Sequence, residues 1–219
     1  LEIEFRKNAN PLTAKGQKAY MKNNFEFFGI KSPLRRDIQK PFFQKEFLPH
    51  KYEIEGIVKE LWSKPQRDFQ YFAQELLFRY AKEFDSKDID LLEFMVVHKS
   101  WWDSIDFIAP KLIGAYFKRY PEYRNGTVER WMKSDSIWLQ RSSILFQLKY
   151  KQELDTDFLA YVINNLNGSK EFFVNKAIGW ILRDYSRIDA KWVSDFCKNS
   201  SLSNLSRREA LRLNLYPNS

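Results

Sequence analysis

Apolar residues recur at helical spacing along almost the whole chain, and this regularity limits the fold more than any other feature. In the clearest run, Phe69, Phe72, Ala73, Leu76, Leu77 and Tyr80 fall at i, i+3, i+4, i+7, i+8 and i+11, with Pro65 near the start. Similar stripes follow. Ile89, Leu92 and Val96 come after Asp85-Ser86, and Phe158, Leu159, Val162, Ile163 and Leu166 come after Asp155-Thr156. A run from Ser100 carries Ile105, Ile108, Ala109 and Leu112 but holds Pro110, which predicts a kink or break near its first turns. Ser134-Asp135 and Ser169 are expected to cap the helices bearing Arg141 and Lys176. With only 7 Gly and 8 Pro, the chain reads as all-α.

The stripes also repeat. The segments Trp62 to Ala81, Trp131 to Tyr150 and Leu166 to Tyr185 overlay so that Phe69, Trp138 and Phe173 coincide, as do Ala73, Ser142 and Ala177. The period is close to that of tetratricopeptide repeats, but their Trp-x-x-Leu-Gly-x-x-Tyr signature is absent. The reading is therefore a HEAT-like superhelical array of antiparallel helical hairpins with a concave basic groove. A length of 219 residues suits one such array, so residues 1–219 are taken as a single repeat domain, its first forty residues and its stretch after Ser203 forming atypical terminal helices.

Lys and Arg number 36 against 28 Asp and Glu, a net charge of +8, which favours a polyanionic partner such as nucleic acid or an anionic membrane. Cys197 stands alone and the chain starts with acids, so a reducing cytosol or bacterial nucleoid is the expected location, with no membrane span. His50 and His98 are the only histidines, too few for a histidine-rich metal site or a Ser-His-Asp triad. No Gly-rich phosphate loop occurs. Neither metal nor cofactor is called for, and a monomer is the default for this architecture.

Chemistry then falls to carboxylates, aromatics and cations. A helix puts Trp102 and Asp106 on one face, a π surface beside an anion, which suits a developing positive charge. Two adjacent indoles on a helix, Trp101 and Trp102, cannot both face one core, so one of them is expected to be exposed or at a groove. Arg141 and Lys176 follow Asp106 at equal steps of 35 residues, with Trp180 one turn beyond Lys176. Arg141 lies inside an apolar stripe of Ile137, Trp138, Ile144, Leu145 and Leu148, so its guanidinium needs a carboxylate or a phosphate. A salt bridge to Asp103 or Asp106 is one option. A phosphate is slightly favoured, because the planar fork suits it and the chain is basic. The helix around Trp180 has two unlike faces. Val174, Ala177, Ile178 and Ile181 form one, and Phe173, Lys176, Trp180 and Arg183 form the other, an aromatic and cation interleaving that suits a sugar-phosphate backbone. A core role for Trp180 with its cations directed outward is the plainer alternative.

Several strings together resemble the AlkD-type DNA alkylation repair glycosylases, a HEAT-like family. They are Ala19-Tyr20-Met21-Lys22-Asn23, Phe27-Phe28-Gly29-Ile30, Glu60-Leu61-Trp62, Lys99-Ser100-Trp101-Trp102-Asp103-Ser104, Ile137-Trp138-Leu139-Gln140-Arg141, Leu145-Phe146-Gln147-Leu148-Lys149-Tyr150-Lys151, Lys170-Glu171-Phe172-Phe173 and Lys176-Ala177-Ile178-Gly179-Trp180. The resemblance runs over nearly the whole chain. It places the family's catalytic aspartate on Asp106, its sugar-contacting tryptophans on Trp102 and Trp180, its groove arginine on Arg141, and a tyrosine near the DNA on Tyr20. It implies hydrolysis of the N-glycosidic bond of cationic N3- or N7-alkylpurines, such as 3-methyladenine and 7-methylguanine, in duplex DNA and without base flipping. Asp106, Trp102 and Trp180 are the expected catalytic residues. Arg141, Lys176, Tyr20, Trp101, Arg183 and Phe173 are the expected DNA contacts. The rival readings are a HEAT-like nucleic-acid binder without chemistry and, behind it, a protein-binding scaffold.

Overall fold

The computed structural model describes residues 1–215, and these are helical, with one isolated parallel bridge, Glu26 to Gln66, as their sole extended pairing. The helices are α1 (Glu2–Lys7), α2 (Pro11–Tyr20), α3 (Ser32–Gln39), α4 (Ile54–Ser63), α5 (Arg67–Arg79), α6 (Asp88–Val97), α7 (Trp102–Phe107), α8 (Gly114–Arg119), α9 (Pro121–Met132), α10 (Ile137–Leu145), α11 (Thr156–Leu166), α12 (Phe172–Tyr185), α13 (Ala190–Asn199), α14 (Asn204–Ala210) and α15 (Arg212–Leu215). They divide between two compact units, residues 1–83 and 84–219, within the stretch that the sequence reading treats as one uninterrupted array.

In the first unit, the stripe expected to pack does so: Phe69, Phe72, Ala73, Leu76, Leu77 and Tyr80 are all buried. Phe69 forms a three-ring contact with Phe5 and Phe28, at centroid distances of 5.8 and 5.4 Å. The chain enters α2 through Asn10, whose side chain accepts the Thr13 N–H, with Pro11 at the first helical position. Gly29 has φ +83°, and a Cβ there would lie 2.0 Å from the Asn10 carbonyl oxygen, so this close approach admits glycine alone.

The second unit packs helices around Ile105, Ile108, Leu112, Phe117, Trp131, Ile144, Leu145, Phe146, Val162, Ile178 and Ile181, all buried. Its caps decide where the helices start. Asp155 accepts from Phe158 N at 2.9 Å, as its position before α11 predicts. Ser136, not Ser134-Asp135, caps α10 by accepting from Leu139 N, while Ser134 Oγ instead donates to the Trp131 carbonyl. Ser169 sits two residues before the N-cap of α12, and its hydroxyl accepts the N–H of that cap, Glu171.

Pro110 neither ends nor simply bends its helix. Residues Ile108–Ile113 widen into a π-helical turn between α7 and α8. Proline has no N–H to give the Asp106 carbonyl four residues earlier, and a wider turn is the way the backbone passes this gap without stopping. No described helix is long and apolar enough to cross a membrane.

Candidate active site

The second unit brings three helices, α7, α10 and α12, together at one place. Trp101 has extended backbone (φ −160°, ψ 160°) and caps α7, so the two neighbouring indoles do not share a helix as the sequence reading assumed; only Trp102 lies in it. Within α7, Trp102 and Asp106 keep the expected i, i+4 relation.

Asp106 meets Arg141 of α10 directly. Arg141 Nε and Nη2 donate to Asp106 Oδ1 at 3.0 and 2.7 Å, and Nη1 donates to the Phe173 carbonyl at 2.5 Å. The side chains are 5% and 22% exposed for Arg141 and Asp106 respectively. In the structure the guanidinium meets the carboxylate option, and each of its three nitrogens donates to a protein oxygen. Asp106 Oδ2 receives no hydrogen bond among the described residues. Burial pushes the Asp106 carboxyl above its ordinary value. The charge of Arg141 and its hydrogen bonds pull the other way, and Asp103 adds a smaller upward push.

Phe173 is the second residue of α12, and its ring packs against Trp101 and Trp138 at centroid distances of 5.4 and 5.0 Å. Trp101 and Trp138 complete the triangle at 5.6 Å. The Trp101 indole N–H is buried within this group and has no hydrogen-bond partner. Trp138 was legible in the sequence as one member of an apolar stripe, with no sign that it would join the site.

Helix α12 shows the two faces its sequence predicts. Val174, Ala177, Ile178 and Ile181 are buried, whereas Phe173, Lys176, Trp180 and Arg183 are each half-exposed. The cations on this second face are paired. Glu209 of α14 receives Lys176 Nζ at 3.0 Å on Oε1 and Arg183 Nη1 at 2.8 Å on Oε2. Glu209 went unnoticed in the sequence, because nothing local marks an acid 33 residues from Lys176 as its partner. Its carboxyl is held below the ordinary range by hydrogen bonds and charge from both cations, against the opposing effect of burial. Gly179 lets α14 come this close, since a Cβ there would stand 2.4 Å from Glu209 Cβ and 2.9 Å from the Ser206 carbonyl oxygen.

Of the expected site residues, the structure joins Asp106, Arg141 and Phe173 through hydrogen bonds, Trp101 and Phe173 through ring contact, and Lys176 and Arg183 through Glu209. Trp102 and Trp180 occupy half-exposed positions on α7 and α12. Tyr20 belongs to the first unit, where it ends α2 with its side chain 68% exposed. Among the described residues, no group of three or more His, Cys, Asp or Glu is placed to hold a metal ion.

Comparison with known proteins points one way. A family model described as DNA alkylation repair enzyme matches residues 1–213. A solved structure, described as a predicted DNA alkylation repair enzyme from Enterococcus faecalis, is 29% identical, with a TM-score of 0.86 over 93% of this chain and 95% of that one. No protein with a curated description matches the chain.

Proposed function

The chain belongs to the DNA alkylation repair enzyme family, and on that footing we propose that it is a monofunctional glycosylase that hydrolyses the N-glycosidic bond of N3- and N7-alkylpurines in duplex DNA. The observation that carries this reading is the Asp106–Arg141 pair, in which both N–H bonds from the arginine converge on Oδ1 while Oδ2 takes none.

Alkylation at N3 or N7 puts a positive charge on the purine. When the bond from C1′ to N9 breaks, its electron pair stays on N9, so the base leaves neutral without an added proton and the charge passes to the deoxyribose. An ionised carboxylate beside the sugar stabilises that oxocarbenium-like state. Burial alone would favour the protonated acid, and Arg141 opposes this by its charge and by two hydrogen bonds. Asp106 Oδ2 then orients a water for attack on C1′ and takes its proton, which passes on to solvent. The products are the free base and an abasic site.

Trp102, one turn before Asp106, and Trp180 on the half-exposed face of α12 are assigned to pack against the sugar and its neighbour, adding cation-π stabilisation. The same reading has the base released without being flipped into a pocket. Lys176, Arg183 and Tyr20 are assigned to the DNA backbone. Arg141, already committed to two protein partners, is assigned to hold Asp106, and Trp101 acts through its packing. The proposed partner is duplex DNA bound along a basic groove by a monomer, with affinity that falls steeply with salt.

The test is release of 7-methylguanine from methylated duplex by the wild type and by Asp106→Asn. Release by the wild type and its near-complete loss in the variant supports the reading. Equal release by both removes Asp106 from the mechanism, and duplex binding without release by either would make the chain a passive binder.

A further inference from the structure

Three rings stand at the start of the three helices that carry the site. Trp101 caps α7, which bears Trp102 and Asp106. Trp138 is the second residue of α10, three positions before Arg141. Phe173 is the second residue of α12, three positions before Lys176. Each ring touches the other two, at 5.0, 5.4 and 5.6 Å between centroids, with the planes tilted by 40°, 66° and 57°. We propose that Trp138 is a positioning residue, the keystone of an aromatic brace that holds Phe173 where its carbonyl anchors Arg141, and thereby fixes Arg141 against Asp106.

Phe173 performs two tasks from one residue. Its ring lies in the triangle and its carbonyl accepts Arg141 Nη1, so a displaced ring carries the acceptor with it. Arg141 then loses one of the contacts that direct its fork at Asp106 Oδ1. Trp138 is the member that no hydrogen bond involving its side chain explains, and the Trp101 indole N–H is likewise buried without a partner. Both indoles are therefore held by packing, and the packing surface each offers the other is what sets their orientation. Phe69, which the sequence overlay aligns with Trp138 and Phe173, likewise closes a three-ring contact, with Phe5 and Phe28.

The catalytic consequence rests on the glycosylase reading, whereas the geometric one does not, so the experiment has two arms. In the full chain without DNA, the Asp106 carboxyl is titrated by carbon-13 NMR, its resonance assigned by its absence in Asp106→Asn. In Trp138→Leu the titration midpoint should move above that of the wild type, since Arg141 no longer holds the charged form, and Trp138→Phe should restore it. With methylated duplex, Trp138→Leu should lower kcat by about 100-fold with KM little changed, as expected for a misplaced reacting group. Val193→Ala, a cavity at a buried position of α13, controls for lost stability and should leave the midpoint in place.

An unchanged midpoint in Trp138→Leu overturns the proposal, as does an equal shift in Val193→Ala. Should Trp138→Leu fail to fold, Phe173→Leu decides by the same upward shift or its absence. If the wild type releases no base, the glycosylase reading falls, and the titration still decides whether Trp138 holds the pair.

Discussion

Arg141 gives two N–H groups to a single oxygen of Asp106, Nε at 3.0 Å and Nη2 at 2.7 Å, across 35 residues of sequence. The geometry needs a planar fork. Lysine, a point charge on a flexible stem, cannot direct two N–H groups at Asp106 Oδ1 and a third at the Phe173 carbonyl from one rigid plane, so Arg141→Lys is expected to fold and to lose most base release in the methylated-duplex assay.

Arg141→Ala leaves a largely buried Asp106 without its counter-charge and still opposed by Asp103. Breaking a buried pair from one side costs about 3–5 kcal/mol, and partial exposure of Asp106 puts the expected loss at the lower end of that range. Chemical denaturation at neutral and at mildly acidic pH checks this. The deficit should shrink at the lower pH, where Asp106 takes a proton and no longer needs a partner.

The raised Asp106 carboxyl gives stability and activity opposite pH trends. The folded state holds this proton more tightly than the unfolded chain, where a carboxyl titrates near about 3.9, so the stabilisation from the group is fully present below that value. It is lost as pH rises through the interval up to the raised folded value. Base release needs the ionised form and falls as pH drops through the same folded value. Denaturation of the wild type against Asp106→Asn across this window, alongside a pH-rate profile, checks both signs. A wild-type stability that gained on Asp106→Asn with rising pH would contradict the assignment.

Glu209→Gln removes the negative charge shared by Lys176 and Arg183. Both cations then become available to phosphates. Duplex affinity is expected to rise, and the slope of log K against log salt to steepen by up to about 2 units, near 0.9 for each phosphate newly met. Binding isotherms at several salt concentrations check this. An unchanged slope would take both cations out of the DNA contact. The stability change should be small, because partly exposed ion pairs contribute about 1 kcal/mol or less.

These residues also show where sequence reasoning reaches and where it stops. The two faces of α12 were legible because a 3.6-residue period is a local property, and so was the Asp155 cap, whose partner is three residues away. The requirement that Arg141 be paired was legible from its apolar neighbours, but the identity of its partner was not. Carboxylate and phosphate satisfy the same requirement, and only tertiary proximity selects Asp106. Trp101 was misplaced onto a helix because an N-cap differs from a first helical residue by one backbone dihedral pair, which no aromatic pattern records. Glu209 and Trp138 were missed for a common reason. Each acts on residues in other helices, and each looks locally ordinary, one as an acid on a polar face and the other as part of an apolar stripe.

The wide turn at Ile108–Ile113 holds more chain than a regular helix would over the same rise. Straightened into α-helix with every residue retained, it would put α7 and α8 out of phase by one position, near 100° of rotation at 3.6 residues per turn. Asp106 would swing off Arg141 while α8 kept its own packing. The aim of the acid is thus encoded partly as a residue count, and a comparison of related chains that closes this surplus position as a gap would discard the information that points the carboxylate.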